Sequence, residues 1–180
     1  MKYRLLLLSF LCFAQVGLAQ KQASRIKKEV FPETGYDLIS EYLNNAKRIR
    51  FYKKTEGDTQ SFEAKLKKGR LHYSVNFDGN GDLEDITFGI QEYDIPEDSW
   101  TTINAYLNSH YSKLRIKNIL QLHPKTGQNS QKTAHEAFQN LMLPYINYKI
   151  IFSAKTAGKS RSYEALFNSD GSMLNVHELF

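Results

Sequence analysis

The chain has 180 residues, with 24 lysines and arginines against 19 aspartates and glutamates, and a formal charge of +5 at pH 7. This mild and dispersed excess of basic residues is only weak evidence for a nucleic-acid or anionic-surface partner, and we expect no nucleic acid to bind. The single cysteine is Cys12. The chain beyond it therefore has no disulfide, no thiolate zinc site and no cysteine nucleophile.

The first 19 residues have the layout of a secretory signal peptide. Two basic residues precede an apolar run over 5–13, and Ala19 ends a small-residue segment suited to cleavage. The run is shorter than the roughly 20 residues that a membrane-spanning helix needs. We therefore expect an exported protein, periplasmic or secreted and not inserted in the membrane. Cleavage would lower its formal charge by two, from +5 to +3.

Residues 20–30 read as an N-terminal extension, and residues 31–92 as a first unit of one helix and four strands. The helix is predicted over 34–45, where Tyr36, Ile39 and Leu43 recur at helical spacing. Strands with alternating apolar residues follow around 48–51, 62–66, 71–77 and 83–90. The KKGR sequence at 67–70 predicts a hairpin.

Residues 93–180 read as a second unit with the same order of elements. A helix is predicted over 99–110, with Trp100, Ile103 and Leu107 on one face, and strands around 114–122, 148–154, 162–167 and 173–179. The helices repeat at an offset of 64 residues and the strands at 90, so the second unit carries an insertion of 26 residues, which falls around 123–144 and contains a helix with an apolar stripe. We expect this helix to cover the outer face of the second sheet, to which we assign Ile119, Ile151 and Leu166.

A comparison of the chain with itself at an offset of 90 residues supports a repeat. It pairs Phe62 with Phe152, and Gly81 with Gly171. The predicted fold class is α+β, with two tandem units of a helix plus a four-stranded antiparallel sheet, the second carrying the inserted helix. The two sheets could form one eight-stranded surface.

The stretch FDGNGDLEDI at 77–86 crowds oxygen ligands into a glycine-bearing loop. A calcium loop of the EF-hand type needs glycine at its sixth position and glutamate at its twelfth. Counting from Asp78, these positions are Leu83 and Gly89. We interpret the stretch as a turn between strands, capped by its Asp and Asn side chains, and not as a metal site.

No motif for catalysis stands out. The five histidines show no metal-binding spacing, and no serine-nucleophile or phosphate-loop motif is present. The carboxylates between Glu84 and Asp98 leave a glycosidase-type pair open, although solvated helix-start charges explain them more simply. We therefore predict a protein that is not an enzyme and holds no cofactor.

The first unit carries a resemblance to a known family. Pro32, the following helix, FEAKL at 62–66, KKG at 67–69 and LHYSVNFDGNGDLEDI at 71–86 resemble the PepSY-like and β-lactamase-inhibitor-like (BLIP-like) domains of secreted bacterial proteins of the Bacteroidetes type. The resemblance implies a small α+β module that binds proteins or cell-envelope components through a sheet surface. It does not imply enzymatic activity.

The outward positions of the first sheet are the best candidates for a binding surface. They are Arg48, Arg50, Lys65, His72 and Asn76. These long basic and polar side chains suit an acidic protein patch or a polymer, although an ordinary solvated sheet face would look the same. Two other hypotheses remain open: a small-molecule-binding or hydrolytic domain with a polar pocket between helix and sheet, and an inhibitor or chaperone of a secreted peptidase.

Overall fold

The computed structural model describes residues 22–125, 127, 129–156 and 158–179, so the predicted signal peptide lies outside the described residues. Within these ranges, nine antiparallel strands form one sheet in which spatial order follows chain order. The strands are β1 Gln22–Ile26, β2 Lys47–Glu56, β3 Thr59–Lys68, β4 Leu71–Phe77, β5 Leu83–Ile90, β6 Ser112–Pro124, β7 Asn147–Thr156, β8 Lys159–Asn168 and β9 Met173–Leu179.

Three α-helices in the described residues pack on one face of this sheet, which we call the inner face. They are α1 Glu33–Ser40, α2 Glu97–His110 and α3 Ser130–Phe138, with short 3-10 helices at Lys28–Val30, Glu41–Leu43 and Glu92–Asp94. Pro32 and Pro96 directly precede α1 and α2, where a proline is tolerated because the first amides of a helix have no internal partner. None of the described helices has the length and apolar character that crossing a membrane requires.

The prediction of two tandem units, each a helix with its own four-stranded sheet, is wrong. Strand β5 pairs directly with β6, from Asp85 opposite Pro124 to Ile90 opposite Ile119, and the buried apolar residues of both halves belong to one core. Strand β1 adds a ninth strand within the segment read as an extension. The physical reason is that separate sheets would leave β5 and β6 as unpaired edges, whereas pairing them satisfies their backbone groups.

The inserted helix also lies on the opposite side from the predicted one. The ring of Phe138 in α3 stacks on Tyr42 at 4.1 Å between centroids and lies 4.8 Å from Tyr73, so α3 covers the inner face. Ile119 is 7% exposed and pairs with Ile150 in the core, not on the outer face. Strand β6 contains two register shifts before Ile119, and each shift breaks the alternation from which the prediction was counted.

The two glycine-bearing turns have the same geometry, and the interpretation of FDGNGDLEDI as a capped turn is confirmed. Asp78 Oδ1 accepts hydrogen bonds from the amides of Asn80 and Asp82, both at 2.9 Å. In the second turn, Asn168 Oδ1 accepts from the amides of Asp170 and Ser172, at 3.1 and 2.8 Å. The carboxylate at 78 therefore does the work of a local cap, which an uncharged Asn does equally well at 168.

Candidate functional site

The face of the sheet opposite the helices, which we call the outer face, carries polar side chains across strands β2 to β5. Cross-strand registers place Arg50 opposite Lys65, Tyr52 opposite Glu63, and Asn76 opposite Asp85. Because alternate residues of a strand point to opposite faces, the residues between them face the core. The outer face of these strands consists of Arg50, Tyr52, Lys54, Glu63, Lys65, Lys67, His72, Ser74, Asn76, Asp85 and Thr87.

A network of charges and hydrogen bonds occupies the middle of this face. Lys54 Nζ lies 3.1 Å from Glu63 Oε2 and donates to Asn76 Oδ1, also at 3.1 Å. Lys65 Nζ lies 3.4 Å from Glu63 Oε1, and Ser74 donates a short hydrogen bond to the same oxygen. Glu63 is only 6% exposed, so this carboxylate is a buried anchor that fixes the surrounding lysines.

The pKa values of the two carboxylates in this network, Glu63 and Asp85, shift in opposite directions. Burial alone would raise the pKa of the Glu63 carboxyl. The Ser74 hydrogen bond and the ammonium groups of Lys54 and Lys65 outweigh burial, so this pKa lies below its usual value. Burial raises the pKa of Asp85, against the opposing effects of the Asn76 hydrogen bond and the nearby lysines. Glu63 is thus held as an anion, while the charged form of Asp85 is disfavoured.

We expect Glu63→Gln to lower the free energy of unfolding by roughly 1–3 kcal/mol at pH 7, because it leaves two ammonium groups without their shared anion. A lowered folded pKa gives stability that is fully present above the unfolded value of 4.5 and is lost as the pH falls through the folded value. Urea unfolding at several pH values should show the variant and the parent converging below about pH 4.5.

The control is Glu178→Gln, which removes a carboxylate from a more exposed pair with Arg161 at 2.8 Å. That change should cost much less, because surface ion pairs contribute little. An equal loss in both variants would show that burial of Glu63 has no special effect.

Four of the five predicted binding residues come together at one end of the outer face. Arg48, Arg50, Lys65 and His72 line a shallow depression of about 180 Å³. We call these four residues the basic cluster. No carboxylate lines the depression, and within the described part of the chain neither arginine has an ion-pair partner. The two arginines therefore carry positive charges that no neighbouring carboxylate of the described residues neutralises.

The backbone of β2 positions the cluster. Arg48 has a φ of 56° and lies in a bulge, because the register with β3 shifts between Lys47 and Arg50. A positive φ is uncommon for a residue other than glycine, and the bulge lets Arg48 line the same depression as Arg50. Lys65 forms an ion pair with Glu63, and its Nζ lies 5.2 Å from the ring centre of Tyr52.

Asn76, the fifth predicted residue, is not part of the basic cluster. Its amide nitrogen donates to Asp85 Oδ1 at 2.7 Å while its oxygen accepts from Lys54. Asn76 therefore links Lys54 to Asp85. Sequence reasoning missed Lys54 and Asp85 as its partners, because the pairing depends on strand registers that the alternation does not supply.

A second polar group lies buried on the inner face beneath α3. Gln121 Nε2 donates to Leu141 O at 3.0 Å and lies 2.9 Å from His123 Nε2. Nearby, Tyr145 donates to Glu136 Oε2 at 2.6 Å. His123 is completely buried, and its Nδ1 has no hydrogen-bond partner among the described residues.

The acidic residues between β5 and α2 have local structural roles. Asp94 Oδ2 accepts from the amide of Gln91 at 2.9 Å, which caps the 3-10 helix, and Glu97 and Asp98 lie in the first turn of α2. Negative side chains at a helix start are stabilising. The simpler explanation offered by the sequence therefore accounts for these positions.

No protein-family model matches the sequence, and no curated protein matches it either. Solved structures match the fold. A DUF2874 family protein from Bacteroides ovatus has 9% identity and a TM-score of 0.54, covering 82% of this chain and 87% of that one. A BLIP-like protein from Bacteroides fragilis has 11% identity and a TM-score of 0.52, with coverage of 83% and 86%. A proposed periplasmic protein from Bacteroides eggerthii has 10% identity and a TM-score of 0.54, with coverage of 82% and 88%.

At these identities the likeness is one of fold alone. At that level the predicted resemblance to BLIP-like proteins is confirmed, whereas the PepSY-like part of it stays a prediction. The similar structures therefore give no evidence on the activity or the partner of this chain, and its own residues have to supply that evidence.

Proposed function

We propose that the protein is an exported, non-enzymatic binding module whose basic cluster docks onto an acidic surface of another cell-envelope protein. The observation that supports this most directly is the set of four cationic or titratable side chains around one depression, which no carboxylate of the described residues lines. Export is supported by the signal-peptide layout of residues 1–19 and by the fold likeness to a protein described as periplasmic.

The chemistry of the basic cluster favours protein recognition over simple solvation. Arginine guanidinium groups bind carboxylates through two parallel hydrogen bonds, and they shed water more readily than lysine does. The network around Glu63 holds Lys65 in place, which lowers the entropy lost on binding.

The test is capture from a Bacteroides envelope extract with the immobilised protein. We expect the wild type to retain a specific protein that moderate salt elutes, because salt screens exposed charges. Arg48→Glu combined with Arg50→Glu should reduce capture by at least about tenfold, since opposed charges at an interface are strongly unfavourable. The melting temperature should change little, because both side chains are exposed.

The chain offers a matched control in β6. Lys113 has a φ of 51° and lies beside a register shift that ends at Arg115, so this bulge resembles the one at Arg48 and Arg50. Lys113 and Arg115 are both exposed. Lys113→Glu combined with Arg115→Glu should leave capture intact. Unchanged capture by the Arg48 and Arg50 variant would reject this face, and a captured species that resists protease digestion would identify a polymer in place of a protein.

A further inference from the structure

A second basic feature lies where β1 stops short of the start of β2. The pairing of these strands runs from Gln22 opposite Thr55 to Ile26 opposite Phe51. The chain then leaves the sheet at Lys27 and enters the 3-10 helix Lys28–Val30. Among the described residues, the first residues of β2, 47–50, therefore have no partner on the β1 side. We call this open stretch of sheet edge the edge notch.

The edge notch is a depression of about 550 Å³ with basic walls and an apolar floor. Arg25, Lys27, Lys28 and Arg50 line it, against one carboxylate, Glu29. The floor is formed by Ile26, Ile49 and Phe51, which all contact the core. Lys28 Nζ lies 3.9 Å from the ring centre of Tyr36 and is thereby engaged, whereas Arg25 and Lys27 have no ion-pair partner within the described ranges.

The alternation of the strands sets what this notch could accept. Ile26 and Phe51 face the core, so their neighbours Arg25 and Arg50 face outward. Ile49, next along β2, faces inward again and packs against the core. An extended segment continuing the line of β1 would meet a basic side chain on its outer side and an apolar surface on its inner side, at alternate residues.

We propose that the edge notch binds an extended peptide segment with alternating acidic and apolar side chains, adding it to the sheet as a short strand beside the start of β2. Main-chain hydrogen bonds supply affinity in such strand addition, and alternate side chains supply specificity. A peptide suits the notch better than a polyanionic polymer, because the notch offers strand positions with no β1 partner and an apolar floor besides its charges. This proposal rests on the proposed function, since the segment would belong to the same acidic partner and Arg50 lines both depressions.

The probe is a fluorescein-labelled hexapeptide of alternating glutamate and valine, measured by fluorescence anisotropy in about 150 mM salt, where distant charges are screened. We expect saturable binding to the wild type. Methylation of the amide nitrogens of both the valine and the glutamate residues, which removes the main-chain donors whichever set faces β2, should raise the Kd by about tenfold or more, and a lysine and valine peptide should not bind. Equal affinity for the N-methylated peptide would overturn strand addition.

Two pairs of substitutions locate the site. Arg25→Glu with Lys27→Glu changes the edge notch but not the basic cluster, and should raise the peptide Kd by about tenfold or more. Lys65→Gln with His72→Glu changes the cluster on β3 and β4, outside the notch, and should reduce protein capture by about tenfold while leaving the peptide Kd within about twofold. Loss of peptide binding only in the second pair would move the peptide site to the cluster. If the first pair fails to fold, Arg25→Gln with Lys27→Gln carries the same test.

The two proposals can fail separately. Peptide binding without envelope capture would refute the proposed function alone, and capture without peptide binding would refute the strand addition. Sedimentation tests the remaining alternative, which is that a second copy of this chain occupies the edge notch. A wild-type dimer that is dissociated by Arg25→Glu with Lys27→Glu would show this and would reject the foreign peptide.

Discussion

Gly171→Ala should lower the free energy of unfolding by about 3 kcal/mol or more, the combined effect of a left-handed backbone and a steric clash. Gly171 has a φ of +84°, and a Cβ there would lie 2.3 Å from the backbone oxygen of Ser99 and 3.0 Å from Thr102 Cβ. Both atoms belong to α2. The turn and the helix are also joined by a hydrogen bond from Ser99 Oγ to Ser169 O at 2.7 Å, so neither can move away cheaply.

The matched control is Gly158→Ala, in the hairpin between β7 and β8. Its φ of +78° is nearly the same, but a Cβ at this position would have open space around it, with no contact within 4 Å among the described residues. This variant should lose only the conformational part, about 1–2 kcal/mol. Urea unfolding of both variants checks the difference, and equal losses would mean that the contact with α2 is not what requires glycine.

The first turn repeats the arrangement with α1. A Cβ at Gly81, whose φ is +86°, would lie 2.5 Å from both Pro32 Cβ and Thr34 Oγ1. Each glycine-bearing turn therefore seats the start of one helix against the sheet. Glycine is needed there both for its positive φ and for the close approach of a neighbouring chain segment.

Much of the fold could be predicted from the sequence because its elements are encoded locally. The strand at Leu83–Ile90 is predicted with its observed bounds, since alternating apolar residues end at a turn on one side and a polar segment on the other. The basic cluster was also largely predictable. Arg50, Lys65 and His72 share one face of two hairpins, and alternation is enough to place them on the same side.

The parts that failed depend on contacts between distant segments. Nothing within β5 or β6 says that they pair with each other, so the tandem arrangement was wrong. Strand β1, with the sequence QASRI, has too little alternation to be recognised without its partner β2. The edge notch exists only because β1 is shorter than β2, and for that reason Arg25 and Lys27 carried no signal in the sequence.

Acidification from pH 6.5 to pH 4 should cost the protein about 3 kcal/mol of stability through one residue, His123. Burial holds the pKa of His123 at about 4, below its ordinary value of 6.5, with Glu136 opposing this weakly. The amide of Gln121 donates to Nε2, which leaves the proton on Nδ1, an atom with no hydrogen-bond partner in the described structure. The unfolded chain takes up a proton below pH 6.5 that the folded chain refuses until about pH 4, so stability falls across this window.

His123→Leu should remove this loss, because the side chain no longer titrates. At pH 7 it should be nearly neutral, since the unpartnered Nδ1–H of His123 disappears while one N–H of Gln121 loses its acceptor Nε2. Urea unfolding at pH 7, 6, 5 and 4 gives the comparison, and His135→Gln, an exposed histidine on α3, should retain the wild-type loss. If His123→Leu loses as much stability as the wild type, carboxylate protonation causes the acid response. Glu63 would then be the first group to test, because the stability that its charge contributes is lost as the pH falls below 4.5.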